Sequence, residues 1–217
     1  MDRSPRIIVR RKPERGIYDR SVINAILDEA LICHVGFIVE DQPYVIPTVH
    51  ARANDTLLVH GSQASRMLRR LRGSFPMCVA VTIVDDLVLA RSVFNNSMNY
   101  RSVVVLGEAA EIVDASEKLK ALHALTEHVL PGRWDEARSP TPKELRATCV
   151  LSIPLDEASA KVRTGPPFDN EDDYGLTVWA GLLPLELVPR PPIPDPRLRP
   201  GVEPPSYITG YERPRRG

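Results

Sequence analysis

Short apolar stretches alternating with polar turns run through the first half of the chain and recur further on. The predicted strands are residues 33–39, 44–51, 56–60, 75–84, 87–94, 103–113 and 149–154. The polar connections at 41–43, 54–55 and 85–86 are typical of hairpin turns, and the stretch NNSMNYRS (95–102) is predicted as a loop. Antiparallel strands joined by tight turns favour a closed barrel over a doubly wound sheet.

Helical spacing of apolar residues replaces the strand pattern in four places. A first helix is predicted up to residue 30, with Asp19 or Ser21 as its N-cap. Residues 65–71 form a predicted short helix, and an apolar stripe within 116–130 predicts a longer one. Thr141 marks the start of a further helix. These helices are expected to flank the barrel.

The chain divides into three predicted segments. Residues 1–20 are a polar, basic lead-in, residues 21–188 are a single domain, and residues 189–217 are a proline-rich tail. The density of prolines excludes a helix or an inner strand, so the tail is expected to run extended. A chain of 217 residues is long enough to bury a full hydrophobic core.

Charge and composition narrow the classes of function. The 28 basic and 28 acidic side chains leave no formal net charge, which removes the electrostatic argument for a nucleic-acid partner. No apolar run approaches the ~20 residues that cross a bilayer, and no apolar segment follows the basic N-terminus. Three isolated cysteines lack metal-type spacing. We therefore expect a reduced, cytoplasmic protein with no membrane and no nucleic-acid partner.

Residues 59–71 (VHGSQASRMLRRL) combine the features of a phosphate site. A predicted strand ends at Gly61 and Ser62 and passes directly into a short helix that carries Ser65 and Arg66. Backbone amides at a helix start, hydroxyl donors and a guanidinium together suit an anion. The same residues also fit a solvated basic helix capped by Ser62, and the local pattern leaves both interpretations open.

A second polar segment and one histidine complete the candidates. Residues 90–105 contain Asn99, Tyr100 and Arg101, with more hydrogen-bond donors than a turn requires, although a long hairpin loop is the alternative. His50 lies on the same predicted strand face as the apolar residues before it, either as a catalytic residue or as a hydrogen-bonded histidine at a barrel rim. No metal site is predicted, because the histidines and cysteines lack ligand spacing.

Three ordered segments resemble a known family. Residues 35–48, 58–67 and 90–107 resemble the pyridoxamine 5′-phosphate oxidase-like, flavin-nucleotide-binding split barrels, in the branch related to nitroimidazole-resistance reductases. The resemblance extends from about residue 17 to residue 154. It implies a mainly β fold with flanking helices, a six-stranded antiparallel Greek-key split β-barrel. It also implies a homodimer that binds FMN in a cleft between the subunits.

The resemblance also implies a set of flavin contacts. They are Pro47, Thr48, Val49 and His50 along the isoalloxazine ring, His60, Gly61 and Ser62 beside the ribityl chain, Ser65 and Arg66 at the phosphate, and Asn99, Tyr100 and Arg101 reaching the flavin from the same or the partner subunit. The assignment of Ser65 and Arg66 agrees with the anion interpretation made from the residues alone. His50 is expected to act as a proton donor near the ring, because an imidazole titrates near neutrality.

The implied function is that of an FMN-dependent oxidoreductase that reduces or oxidises a small-molecule substrate, with NADH or NADPH as its electron partner. Residues 179–185 lack the arginine of the family's substrate-phosphate motif, so vitamin B6 oxidation is not expected. Two alternatives remain open. One is a heme-binding or heme-degrading barrel with His50 or His60 as axial ligand, and the other is a flavin-binding protein without turnover. The fold itself also accommodates deazaflavin.

Overall fold

The computed structural model describes residues 4–213, so the first three residues of the predicted lead-in and the last four of the tail lie outside the described part. Ten antiparallel strands occur within it. In chain order they are β1 (Gly16–Ile17), β2 (Ile32–Val39), β3 (Gln42–Ala53), β4 (Thr56–Ser62), β5 (Pro76–Leu89), β6 (Ser97–Glu108), β7 (Ala110–Glu111), β8 (Thr148–Pro154), β9 (Glu157–Arg163) and β10 (Gly181–Pro184).

The strands pair in the order β1-β9-β6-β5-β2-β3-β4-β8-β7, and β10 adds to β5. This confirms the predicted fold class, a mainly β antiparallel barrel with flanking helices. The described strands outnumber the expected six because β9, which the sequence pattern missed, and the short strands β1, β7 and β10 join the sheet. The alanines and serine of β9 carry too little hydrophobicity to mark a strand, yet Ala158 and Ala160 are buried there.

The predicted turn at residues 85–86 is wrong. β5 continues without interruption to Leu89 and pairs with β6 along its length, with a bulge between Val84 and Asp86. The acidic pair stays in the strand because Arg101 on β6 takes up the Asp85 carboxylate, with Nε 3.0 Å from Oδ2. The predicted loop 95–102 is also wrong, because residues 97–102 form the start of β6 and pair with β5.

The first hairpin is confirmed, with its turn shifted by one residue. β2 and β3 pair from Ile32 opposite Val49 to Val39 opposite Gln42, so only Glu40 and Asp41 connect them. Both residues have positive φ angles, 50° and 64°, the left-handed backbone conformation that lets a two-residue turn match the right-handed twist of its strands.

Six α-helices and three short 3-10 helices accompany the strands within residues 4–213. The α-helices are α1 (Arg20–Glu29), α2 (Arg66–Leu71), α3 (Ala115–Val129), α4 (Arg133–Glu136), α5 (Pro142–Ala147) and α6 (Ser206–Thr209). The single turn α6 lies in the tail, so the expectation that no helix forms there is wrong, because its four residues include no proline. Asp19 caps α1 by accepting from the amides of Ser21 and Val22, as one of the two predicted caps. Thr141 and Glu144 form a reciprocal capping box on α5. No helix in the described range is long and apolar enough to cross a bilayer.

The hydrophobic core has an inner and an outer part. The inner part fills the barrel with inward-facing strand residues and with the apolar faces of α1 and α2, among them Ile23, Ile26, Leu27, Leu57, Leu68, Leu71, Leu151 and Ile153. The outer part lies beneath α3, where Leu125 and its neighbours cover Ala51, Leu58 and Val150 on β3, β4 and β8. Burial of this apolar surface is the main stabilising term. The packing of the outer part holds α3 against β3, β4 and β8.

Candidate cofactor site

The predicted phosphate residues come together at the turn between β4 and α2. The Ser65 amide donates to the Ser62 carbonyl at 2.9 Å, and the Ser62 hydroxyl accepts from the Ala64 amide at 3.2 Å. The Ser65 hydroxyl makes no capping hydrogen bond, and Arg66 is exposed with its guanidinium 5.0 Å from the centre of the Tyr44 ring. We call Ser62, Ser65 and Arg66 the cradle. It offers two hydroxyls and a guanidinium to an anion.

Gly61 holds the cradle close to the barrel. A Cβ at this position would lie 3.0 Å from Cδ1 of Leu68, whose side chain is buried in the core. A larger residue would therefore push α2 outward. The sequence-predicted glycine thus acts by allowing close packing of α2 on β4.

The predicted ring-binding strand lies beside the cradle. The β3–β4 ladder runs from Ala53 to the His50–Val59 pair and stops there. Within residues 4–213, positions 47–49 therefore have no ladder partner on the β4 side, although they remain paired to β2 on the other. Pro47 is exposed and Thr48 is half-buried. The unpaired strand edge can offer backbone hydrogen bonds to a polar ring.

His50 points into the protein. It has no exposed surface, its Nε2 lies 3.0 Å from the Leu27 carbonyl at the end of α1, and its ring is 5.1 Å from that of His128. Desolvation lowers the pKa of His50 to about 4. The residue is therefore a neutral structural histidine near pH 7. Its burial argues against the role of proton donor that was expected for it.

His60 points the other way, out of the barrel and under α3. Its Nδ1 is buried and has no hydrogen-bond partner among the described residues, and desolvation lowers the pKa of the imidazole. The His60 side chain lines a pocket of about 330 Å³, which we call the His60 pocket. The other lining residues are Val49, Leu122, Leu125, Thr126, Val129, Leu130 and Arg133. An apolar pocket with one unpartnered imidazole is typical of a ligand site rather than of a packed core.

The third group of predicted flavin contacts lies on a different part of the sheet. Asn99, Tyr100 and Arg101 are on β6, which β5 and β2 separate from β3. Asn99 is 2% exposed and donates to the Asp86 carboxylate at 2.8 Å. Within one subunit these residues do not meet the cradle, so a contact from the partner subunit stays a prediction.

Two features of the site escaped the sequence analysis. Arg101 bridges the carboxylates of Glu29 and Asp85, and all three side chains are less than a fifth exposed. Arg133 borders the His60 pocket from α4. The apolar stripe of α3, which the sequence shows, forms one wall of this pocket. The sequence did not indicate that this stripe would pack over His60.

Comparison with known proteins shows the family. Residues 19–162 match the family described as pyridoxamine 5′-phosphate oxidase. A search of curated proteins found no match.

Three solved structures resemble this chain. The flavocytochrome Anf3 from Azotobacter vinelandii is 39% identical over 97% of this chain and 98% of its own, with a TM-score of 0.91. The FAD and heme binding protein from Mycobacterium smegmatis is 32% identical over 92% of this chain and 98% of its own, with a TM-score of 0.88. A protein assigned to 5-nitroimidazole antibiotic resistance in Bacteroides thetaiotaomicron is 26% identical over 68% of this chain and 86% of its own, with a TM-score of 0.56.

The family that the three sequence segments predicted is therefore confirmed. The antiparallel sheet, the divergence of β3 and β4 beside the cradle, and the matches over about two thirds or more of the chain agree with one another. This chain belongs to the pyridoxamine 5′-phosphate oxidase family of split barrels.

Proposed function

We propose that this protein binds a flavin nucleotide and a heme in neighbouring sites and acts as an oxidoreductase that moves electrons between them. Two relatives that match nearly the whole chain support this, since one is a flavocytochrome and the other binds FAD and heme. The proposal joins the predicted flavin function with the heme-binding alternative. The observation that carries it is His60, a half-buried histidine whose buried Nδ1 has no hydrogen-bond partner among the described residues, in an apolar pocket two residues before the cradle.

The flavin would occupy the open edge of β3 and the cradle. Arg66 would bind the phosphate, Ser62 and Ser65 would donate hydrogen bonds to it, and the unpaired backbone of residues 47–49 would bind the polar edge of the ring. The predicted cofactor is FMN. Because the Mycobacterium relative binds FAD, we extend the proposal to FAD, which carries the same phosphate next to the ribityl chain.

The heme would occupy the His60 pocket, and the residues present fit it. The imidazole supplies the nitrogen ligand, the leucines and valines supply an apolar lining, and Arg133 supplies a cation for a propionate carboxylate at the edge. His50, the other predicted axial ligand, does not fit, because Leu27 already takes its Nε2 and no surface of its ring is open.

The chain's own groups would prepare this site for electron transfer. Burial lowers the pKa of His60, so the imidazole is neutral near pH 7 and keeps a lone pair for a metal. The apolar residues of α3 line the pocket, and Arg66 would hold the flavin phosphate in place. When bound, flavin accepts electrons in pairs or singly and heme accepts them singly, which allows exchange between the two.

A second copy of the chain would complete the flavin cleft. The outer face of β2, β3, β5 and β6 is largely apolar, and Ile38, Val45 and Val104 on it are 55%, 64% and 38% exposed. Such a face on an edge of the flavin site favours the homodimer expected from the sequence. The small-molecule substrate and the NADH or NADPH donor stay predictions.

The test is the absorbance spectrum of the purified protein, followed by extraction and chromatography of the released cofactors. We expect a Soret band with flavin bands beneath it, and extraction that identifies heme together with FAD or FMN. Replacement H60A should remove the Soret band and leave the flavin. H123A is the matched control, because His123 is exposed on α3 and should leave both cofactors in place.

Two results would contradict the proposal. If the purified protein neither contains nor takes up heme, the proposed heme site is ruled out. If it takes up no flavin, the proposed flavin site is ruled out. If H60A proves poorly folded, the variant H60G with added imidazole replaces it, since free imidazole should restore the Soret band only where the missing side chain was the ligand.

A further inference from the structure

A second and larger cavity lies on the outer face of the sheet. It measures about 650 Å³ and is enclosed by β2 and β5, by the chain after β10, and by the returning tail at Tyr211 and Arg213. We call it the outer cavity. Its size is that of a site for a small organic molecule.

The outer cavity adjoins the strand proposed to bind the flavin ring. Its lining residues Ile32 and His34 on β2 pair directly with Val49 and Pro47 on β3. Directly opposed residues of an antiparallel pair project from the same face of the sheet. A molecule in this cavity would therefore lie next to residues 47–49, on the side away from the cradle.

Negative charge exceeds positive charge in the lining of the outer cavity. Among residues 4–213, five carboxylates and two arginines line it, which gives the described lining a formal charge of −3. Both guanidiniums are already engaged. Arg101 donates to Glu29 at 2.7 Å and to Asp85 at 2.7 Å, and Arg213 donates to the Glu29 carbonyl. The charge of Arg101 is therefore compensated by two carboxylates, whereas Arg213 donates only to neutral acceptors and is outnumbered by the carboxylates of the lining.

Three carboxylates remain. Asp86 is half-buried and accepts from Asn99 at 2.8 Å, whereas Glu186 after β10 and Glu212 in the tail are exposed. Ile83, Leu185 and Leu187 add apolar surface to the same lining. An apolar body with a positive charge matches such a surface, whereas the pyrophosphate of a dinucleotide would meet repulsion.

We infer that the outer cavity binds small organic cations with a flat apolar body and is the site at which an electron donor of this class meets the protein. The second part rests on the proposed function. Each donor molecule would lose one electron, and the bound flavin or heme would gain it. The charge of the cavity thereby selects against the predicted nicotinamide dinucleotide as the occupant of this site.

Methyl viologen is a suitable probe, because it is flat and dicationic, and its bis-sulfopropyl analogue has the same ring system and no net charge. Isothermal titration calorimetry of the full chain should show methyl viologen binding at least about tenfold more tightly than the analogue at low salt. The double variant E186Q/E212Q should weaken methyl viologen binding about tenfold. The control E108Q/E171Q makes the same change of charge at exposed positions outside the cavity and should leave binding within about twofold.

Equal affinity for the two viologens would overturn the inference, as would equal losses in the two double variants or no binding at all. Because this titration does not depend on bound cofactor, it is separable from the proposed function. Reduction of the cofactors by dithionite-reduced methyl viologen then tests the donor role. Tight binding without reduction of a cofactor that free dithionite reduces would overturn that role alone.

Discussion

Three histidines lie in or beside the hydrophobic core, of which His50 is fully buried and His60 and His128 are half-buried. His50 and His128 each place Nε2 against a backbone carbonyl at the end of α1, at 3.0 Å from Leu27 and 2.7 Å from Ala30. Together they satisfy carbonyls that a helix terminus leaves without internal partners. His60 has no such partner. This difference separates two structural histidines from one that is open to a ligand.

Acid should destabilise the protein through these residues. Burial lowers the pKa of His50 from 6.5 to about 4. Between these two values, His50 binds a proton in the unfolded chain but stays neutral in the folded chain. The free energy of unfolding is then unaffected by His50 above about pH 6.5 and falls as the pH drops towards 4, by about 3 kcal/mol at most for this residue. Urea unfolding at pH 7 and pH 5 measures the loss.

The variant H50Q supplies the control. A glutamine amide can still donate to the Leu27 carbonyl but does not titrate. H50Q should therefore show a smaller loss of stability between pH 7 and pH 5 than the natural chain, with His60 and His128 accounting for what remains. An unchanged loss would show that His50 is not the group responsible.

Arg66 should dominate flavin binding among the basic residues of α2. Loss of a charge-assisted hydrogen bond costs about 1.5–3 kcal/mol, so R66A should weaken flavin affinity by about 10- to 100-fold. Arg69 is exposed on the same helix but outside the cradle, and R69A should change affinity less than about threefold. Fluorescence titration of the flavin-free protein measures both. Equal losses would mean that the helix attracts the phosphate only by its overall charge.

The pairing of β5 with β6 depends on a charged cluster as well as on the ladder. Arg101 lies between Glu29 of α1 and Asp85 of β5, with only 11% of its side chain exposed. These two carboxylates, that of Glu29 foremost, raise the pKa of the guanidinium. The cluster therefore ties α1 to the bulge of β5, and it forms the floor of the outer cavity.

Removing this arginine should be costly. R101M removes the cation that two largely buried carboxylates share and should lower the free energy of unfolding by about 3 kcal/mol or more. The Arg52–Asp28 pair provides the comparison, because its carboxylate side chain is 44% exposed, and R52M should cost about 1 kcal/mol or less. Urea unfolding of both variants at pH 7 measures the difference. Similar losses would mean that the cluster is solvated in solution.

Within residues 4–213, part of the outer face of β2, β3, β5 and β6 is exposed and apolar, and this predicts that the protein assembles as a dimer. Val45 is 64% exposed opposite Gly36 on that face, so V45E should place a charge in the proposed dimer interface and shift the protein to monomers. Val113 is 78% exposed outside that face, and V113E should leave the dimer intact. Light scattering after size exclusion measures the mass of each. A natural chain that is monomeric at micromolar concentration would contradict the proposal.

Local signals in the sequence determined much of this protein. The first hairpin, the Asp19 and Thr141 caps and the turn that carries Ser65 and Arg66 all depend on residues within a few positions of one another, and the structure contains them. Family membership followed from three such segments in order. Each of these features depends on backbone preferences and short-range hydrogen bonds, which can be recognised from the order of residue types in the sequence.

Only the tertiary structure decided which polar residues are available to a ligand. Asp85 looked like a turn residue until Arg101, sixteen positions away, took up its charge. His50 and His60 look alike in the sequence, yet Leu27 engages one and the apolar side of α3 shelters the other. Burial and charge compensation depend on groups that are distant in sequence and meet only when the chain is packed, because desolvation acts through the complete surroundings of a side chain.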